Sequence, residues 1–179
     1  MIAAILGNSP LNIGAASTAE LARAGHEVRV ALADIPPRLA VADGGEVTLH
    51  PADVEAALDG AQLAVVDIPP RDLLPALAPH LPALAHVKVV HLNGHGYWPA
   101  LRLGTAMRRA RLAGFCITDA GAPTHAAGFD GATLTPHARR TGLRFAAFPH
   151  ARIDKALPLL RALAPDATIA ESPVATGLE

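Results

Sequence analysis

The sequence predicts an α/β fold: a doubly wound, mainly parallel sheet with helices on both faces and an antiparallel addition near the C-terminus. Three observations carry this. The opening stretch reads as a strand (Met1 to Leu6), a turn-rich segment (Gly7 to Gly14), a helix (Ala15 to Ala24), Gly25, and a second strand (Val28 to Leu32). That order makes a right-handed strand–helix–strand unit. Two later runs, Ala61 to Ile68 and Val87 to Leu92, are apolar almost throughout, as strands covered on both faces must be. Between and after them, helical and extended patterns alternate.

The chain has 179 residues, enough for one sizeable domain, expected over 1–171 with an exit segment at 172–179. Its apolar half is mostly Ala, Leu and Val, and aromatics make up only 3%, so the core is expected to be stacked aliphatic layers. The prolines sit at the ends of periodic segments, which argues for order over linker. A net charge of −1 without a long basic or acidic block gives no handle for capturing nucleic acid or an anionic membrane. A small neutral-to-anionic ligand fits better. The N-terminus lacks a signal-peptide pattern, no apolar run reaches membrane-spanning length, and the lone Cys116 suits a reducing compartment. The expectation is a soluble, cytoplasmic protein, with Cys116 a buried thiol and not a nucleophile.

The turn after the first strand leads to a helix N-terminus, a ready position for a phosphate group. Gly7 suits a sharp exit from the strand, and Gly14 suits close packing of the helix on the sheet. Six residues separate them where the dinucleotide fingerprint has four, and the middle glycine is missing. Asn8, Ser9 and Asn12 offer polar groups in its place, Pro10 stiffens the loop, and Leu11 and Ile13 complete it. A nucleotide-binding loop and an ordinary strand-to-helix turn are both compatible with these residues. Asp34 follows the second strand, where an acid commonly binds ribose hydroxyls; it reads equally as a solvated turn residue before Pro36-Pro37.

Further on, Glu46 to His50 is a short strand, and Pro51 to Gly60 has the proline, acids and terminal glycine of a short helix. The run from Ala61 ends at Ile68, Pro69 and Pro70, where a ligand can meet the carboxyl end of the sheet. Leu73, Leu74, Leu77 and Leu81 have helical spacing interrupted by Pro75, Pro79 and Pro82, which predicts short, broken turns. After Val87 to Leu92 comes Asn93-Gly94-His95-Gly96-Tyr97-Trp98, whose glycines permit close approach; Asn93 and Gly94 are candidates to line the crevice. His91 and His95 lack the carboxylate and helical spacing of a metal site, and no metal is expected.

Leu101 to Ala113 reads as a helix whose arginines, Arg102, Arg108, Arg109 and Arg111, form a solvated face. Phe115 to Ala120 is a strand, and Gly121 to Gly131 a small, polar loop. An Asp119–His125 pair assisting proton transfer competes there with plain loop hydrogen bonding. Ala132 to Thr135 and Arg144 to Pro149 are expected as a hairpin turning near Thr141-Gly142. Ala151 to Ala164 is a helix, and Ala167 to Ala170 a final edge strand.

Several stretches together resemble the N-terminal coenzyme domain of the octopine/opine dehydrogenase family. They are the opening strand–Gly7…Gly14–helix, Ala24-Gly25-His26-Glu27-Val28, the run Ala56 to Leu63, the segment Ala76 to Leu81, the loop His91-Leu92-Asn93-Gly94-His95-Gly96, and the tail Ser172 to Glu179. The resemblance implies a Rossmann-like domain binding NAD or NADP through Gly7, Asn8, Ser9, Leu11, Asn12, Ile13, Gly14, Asp34, Ile68, Pro69, Asn93 and Gly94. It also implies a reductive condensation of an amino acid with a 2-oxo acid, completed by a helical catalytic domain or subunit that the tail leads towards. Relative to the family pattern, the ribose-binding acid aligns near Leu32, with Asp34 slightly beyond; Arg38 is a candidate partner for a 2′-phosphate. Apolar residues Val174 and Leu178 suggest docking or self-association in a homo- or hetero-oligomer. A non-catalytic nucleotide- or metabolite-binding subunit is the alternative, and a coenzyme-independent enzyme using His95 and His125 a third.

Overall fold

The computed structural model describes residues 1–7, 13–32, 36–93, 98–130 and 133–176. In chain order the elements are β1 (Ile2–Leu6), α1 (Ile13–Arg23), β2 (Glu27–Ala31), β3 (Arg38–Val41), β4 (Glu46–Thr48), β5 (His50–Pro51), α2 (Val54–Leu58) and β6 (Leu63–Val66). There follow α3 (Leu73–Leu77), α4 (Leu81–Leu84), β7 (Val89–Leu92), α5 (Pro99–Arg109), β8 (Ile117–Ala120), β9 (His125–Phe129), β10 (Thr133–Arg139), β11 (Arg144–Phe148), α6 (Ile153–Leu160), β12 (Thr168–Ile169) and α7 (Pro173–Thr176). A single 3₁₀ turn, Ala78–His80, separates α3 from α4, so the proline-interrupted leucine segment is the series of short turns its sequence predicts.

The main sheet has eight strands in the order β12-β11-β8-β7-β6-β1-β2-β5. The six from β5 to β8 are parallel and run in the 3-2-1-4-5-6 order of a Rossmann fold. β11 adds antiparallel to β8, and β12 pairs parallel with β11. Both central strands are buried on both faces because each alternates between two cores. Ala3 and Ile5 of β1 and Leu63 and Val65 of β6 face α1 and α6, while Ala4, Leu6, Ala64 and Val66 face α2, α3, α4 and α5. The alanines keep the helices close to the sheet.

A second sheet, ordered β4-β3-β10-β9, covers the outer side of α1. It joins two distant hairpins through the parallel pairs Thr133↔Ala40 and Leu134↔Val41. Here the sequence-based expectation fails. Residues 133–139 do not form a hairpin with Arg144–Phe148; they pair with β9, in a stretch read as loop, through a turn in which the Asp130 carboxylate accepts from the Thr133 amide at 2.7 Å. Gly142, at φ +67°, then turns the chain out of this sheet and into the main one. Residues 173–176, within the stretch read from the sequence as an exit segment, form one helical turn packed on β8 and β11.

On the other face, the Phe148 ring packs against α5 at Gly104 and carries the Arg108 guanidinium 4.5 Å from its centroid. A Cβ at Gly104 would fall 2.1 Å from Phe148 Cδ1 and 2.5 Å from Cε1. Gly104→Ala should therefore lower unfolding stability by about 1–3 kcal/mol in urea titration. Unchanged stability would mean that the ring does not pack there.

Candidate functional site

The direction of winding reverses between β1 and β6, so the connections that leave their carboxyl ends run to opposite faces of the sheet at a topological switch point, where ligands bind in open α/β sheets. The backbone there is closely set. The Asp67 amide donates to Leu6 O at 2.7 Å, the Asn93 amide to Val66 O at 2.9 Å, and the Gly7 amide to Ala31 O at 3.2 Å.

Both glycines read from the sequence have steric reasons. Gly7 has φ +100°, and a Cβ on it would lie 2.5 Å from both Asp67 O and Ile68 Cγ1, so no side chain fits. At Gly14 a Cβ would meet Asp67 Oδ2 at 3.2 Å, Asp67 Cβ at 3.3 Å and Ile5 Cγ2 at 3.4 Å, which lets α1 approach the sheet closely. Asn8, Ser9, Leu11, Asn12, Asp34, Gly94 and His95 lie outside the described residues, as does the side chain of Ile13.

The residue that sequence reading passed over is Asp67. Its carboxylate Oδ2 accepts the amide of Gly14 at 2.7 Å, in the first turn of α1, and the residue is only 3% exposed. A carboxylate of the chain itself thus holds an amide of the helix N-terminus, the position that attracts phosphate. The signal was present: a charged residue closing an otherwise wholly apolar central strand, directly after Val66. Ile68 packs over Gly7. The following turn is pinned, because Pro69 O accepts from the Asp72 amide at 2.9 Å and Pro70 O from Arg102 Nη1 at 2.9 Å.

Asn93, at the end of β7, is engaged on both sides. Its Oδ1 accepts from the Thr124 amide and hydroxyl, both at 3.0 Å, and its Nδ2 donates to Ser17 Oγ of α1 at 3.4 Å. It braces α1, β7 and the turn before β9. With the Thr124 hydroxyl proton directed at Asn93, the 2.9 Å contact between Thr124 Oγ1 and His125 Nδ1 assigns the Nδ1–H tautomer to His125. Its Nε2, 3.9 Å from Glu20 Oε1, has no hydrogen-bond partner among the described residues. His91 is fully buried, bonded through Nδ1 to Thr118 Oγ1 at 3.2 Å, with its ring centroid 5.2 Å from that of Phe145.

Burial pushes His91 down to about 4; hydrogen bonding to Asn93 and to the Thr118 backbone opposes this, and His125 adds to it. Burial also lowers His125, against the pull of Glu20. Asp119 moves the other way: burial raises it to about 6, although it accepts from Thr176 Oγ1 at 2.7 Å and from the Ala100 amide at 3.3 Å. Asp119 therefore ties the start of α5 to α7, and among the described residues its hydrogen bonds go there and not to His125. Burial raises the Cys116 thiol to about 11, the buried, unreactive cysteine expected from sequence. Arg38 faces Glu46 across β3 and β4, with Nη1 and Oε1 3.4 Å apart and both side chains exposed. A depression of about 680 Å³, lined by Gly25, Glu27, Gly60, Gln62, His86 and Lys88 among others, opens at the opposite, amino-terminal edge of the sheet.

No protein-family model matches the chain, and no curated protein matches its sequence. Solved structures match its fold. An octopine dehydrogenase in complex with NADH and agmatine aligns with a TM-score of 0.74 at 15% identity, over 98% of this chain and 50% of that one. A yersinopine dehydrogenase with NADP+ bound aligns at 0.70 and 16%, over 99% and 49%. A ketopantoate reductase of the PanE/ApbA family from Ralstonia eutropha JMP134 aligns at 0.69 and 21%, over 96% and 57%. The chain spans about half the length of the opine dehydrogenases that it matches. The likeness is one of fold, and it falls on the family that the sequence stretches resemble.

Because His91 is held neutral, its contribution to stability is complete above pH 6.5 and is lost as pH falls towards 4, by on the order of 3 kcal/mol. Asp119 has the opposite sign: its contribution is complete below its ordinary carboxyl range and fades as pH rises through about 6. Urea unfolding of the parent chain and of His91→Gln from pH 7.5 to 4.5 should separate the two. The parent's advantage is expected to shrink in acid, and parallel stability curves would contradict the assignment.

Proposed function

We propose that the chain is the coenzyme-binding portion of an opine-dehydrogenase-like oxidoreductase, taking up NAD or NADP at the carboxyl ends of β1, β6 and β7. The observation that carries this reading is the strand order β5-β2-β1-β6-β7-β8, with α1 rising from its reversal point over Gly7 and Gly14. NADH and NADP+ accompany two of the aligned dehydrogenases. In this reading Gly7, Asn8, Ser9, Leu11, Asn12, Ile13 and Gly14 face the coenzyme phosphates, Asp34 its ribose, and Ile68, Pro69, Asn93 and Gly94 the rest of the crevice. Both glycines bring the chain close to itself there, Gly7 against Asp67 and Ile68 and Gly14 against Asp67 and Ile5, which sets the start of α1 directly over the carboxyl ends of β1 and β6, beside the Asp67 carboxylate.

When bound, the coenzyme would supply a hydride. This chain's residues would hold and orient it, while a second domain or subunit would bring the amino acid and the 2-oxo acid and protonate them. Residues 1–171 then form the coenzyme domain, and 172–179 lead towards the partner. Trp98 and Val174, 41% and 47% exposed, stand on the two segments that Asp119 joins and are apolar enough for such a partner to dock, in a homo- or hetero-oligomer. No helix among the described residues is long and apolar enough to cross a membrane, in keeping with the proposed cytoplasmic setting.

The competing reading is a non-catalytic subunit that binds a nucleotide or another metabolite, and the Asp67 carboxylate favours it. Calorimetric titration with NADH and with NADPH, followed in parallel by Trp98 fluorescence, tests between them. Saturable one-to-one uptake of at least one coenzyme is expected. No heat and no quenching with either, at millimolar concentration, would overturn the coenzyme reading and favour the others.

A further inference from the structure

We infer that Asp119 is a proton-operated latch: its protonated carboxyl holds α7 on β8, and loss of that proton loosens this turn of helix. The device needs no ligand and does not depend on the coenzyme reading.

The inference follows from a shortage of protons around one hydroxyl. Asp119 is 1% exposed in β8; its Oδ2 accepts from the Ala100 amide of α5 at 3.3 Å, and its Oδ1 lies 2.7 Å from Thr176 Oγ1 of α7. The same Thr176 oxygen lies 3.1 Å from Pro173 O. A hydroxyl has one proton to give, and here two acceptors stand within reach of it. With Asp119 ionised, Thr176 serves the carboxylate or Pro173 O but not both. With a proton on Asp119, Oδ1–H donates to Thr176 Oγ1, the Thr176 proton goes to Pro173 O, and Oδ2 keeps the Ala100 amide. All three bonds are then made at once.

Burial acts in the same direction, raising the carboxyl to about 6 against the two hydrogen bonds it accepts. α7 is part of that cover, because it packs on β8 and β11 with Thr176 buried. Its release lets water reach the carboxylate and returns it towards its ordinary range. Docking is therefore strongest below that range, weakens as pH rises through about 6, and stays weak above. The charged or titratable residues on the elements packed against Asp119 are Arg102, Arg108 and Arg109 of α5, Arg144 of β11, His91 of β7 and Glu171 just before α7. Arg102 donates to Pro70 O, Arg108 sits over Phe148, and His91 bonds to Thr118, whose side chain points to the opposite face of the sheet. Among the described residues none of the six forms an ion pair with Asp119, so burial and its hydrogen bonds set its proton affinity.

Amide hydrogen exchange on the full chain tests this, read at Ala175 and Thr176, whose amides donate to Ser172 Oγ and Ser172 O, and corrected for intrinsic exchange at each pH. Their protection is expected to fall at least tenfold between about pH 4.5 and pH 7.5. In Asp119→Asn the carboxamide NH₂ can donate to Thr176 Oγ1 while its oxygen accepts the Ala100 amide, so protection should change less than twofold over the same range. No fall in the parent, or an equal fall in both proteins, would overturn the inference. If the variant does not fold, the parent's ¹³C carboxyl titration decides. A shared midpoint near 6 for the Asp119 carboxyl and the Thr176 amide supports the latch. A carboxyl midpoint in the ordinary range, or an α7 amide that does not follow it, refutes the latch.

Discussion

The carboxylate of Asp67 against the amide of Gly14 is the contact on which the site depends, because it ties the carboxyl end of β6 to the first turn of α1. β1 is flanked by β2 and β6, and the chain winds away from it in both directions, so the connections after β1 and β6 leave to opposite faces of the sheet, with α1 starting above their paired ends. Amides in the first turn of a helix have no partner within it, and burying them unpaired costs on the order of 1–3 kcal/mol each. Asp67 satisfies one of them with a charge of the favourable sign for the helix dipole, stabilising α1 by roughly 0.3–2 kcal/mol.

The other polar groups near the switch point serve cohesion. Asn93, Ser17 and Thr124 connect a strand end, a helix and a turn through hydrogen bonds on both sides of the Asn93 carboxamide, so α1 is held from the β7 side as well as by Asp67. His91 and His125 are buried beside them, and burial penalises their charged forms. On the far side, Asp119 joins α5 to α7 and is itself poised to lose its charge near pH 6. Rigidity around the crevice thus comes from buried polar atoms set among alanine-rich layers, in a chain with few aromatics to fill space.

Much of this architecture was legible in the sequence wherever the signal was local. The strand–glycine–helix–glycine–strand opening, the largely apolar runs that became β6 and β7, and the proline-broken turns of α3 and α4 all depend on neighbouring residues, and the structure has them within a few positions. The antiparallel addition is present in β11. What escaped reading depends on pairings far apart in the chain. β3 and β10 meet across Ala40 and Thr133, a contact with no local signature, and β9 looked like a loop because its small residues form a strand only once β10 is beside it. Gly7 and Gly14 were found from chain chemistry, but Asp67 gains its role only from the fold, which sets it 53 positions along the chain from the amide it binds. Of the two readings weighed for Asp119 and His125, hydrogen bonding to other groups is the one found among the described residues: Ala100 and Thr176 for the first, Thr124 for the second.

The central claim is that a nucleotide enters at the switch point and disturbs the Asp67–Gly14 contact. Amide chemical shifts of ¹⁵N-labelled protein during an NADH titration report on it directly, since Gly7 and Gly14 mark one edge of the sheet and Gly25, Gly60 and Lys88 the depression at the other. The largest changes are expected at Gly14 and Gly7. Changes confined to Gly25, Gly60 and Lys88, with Gly14 unmoved at saturation, would contradict the claim.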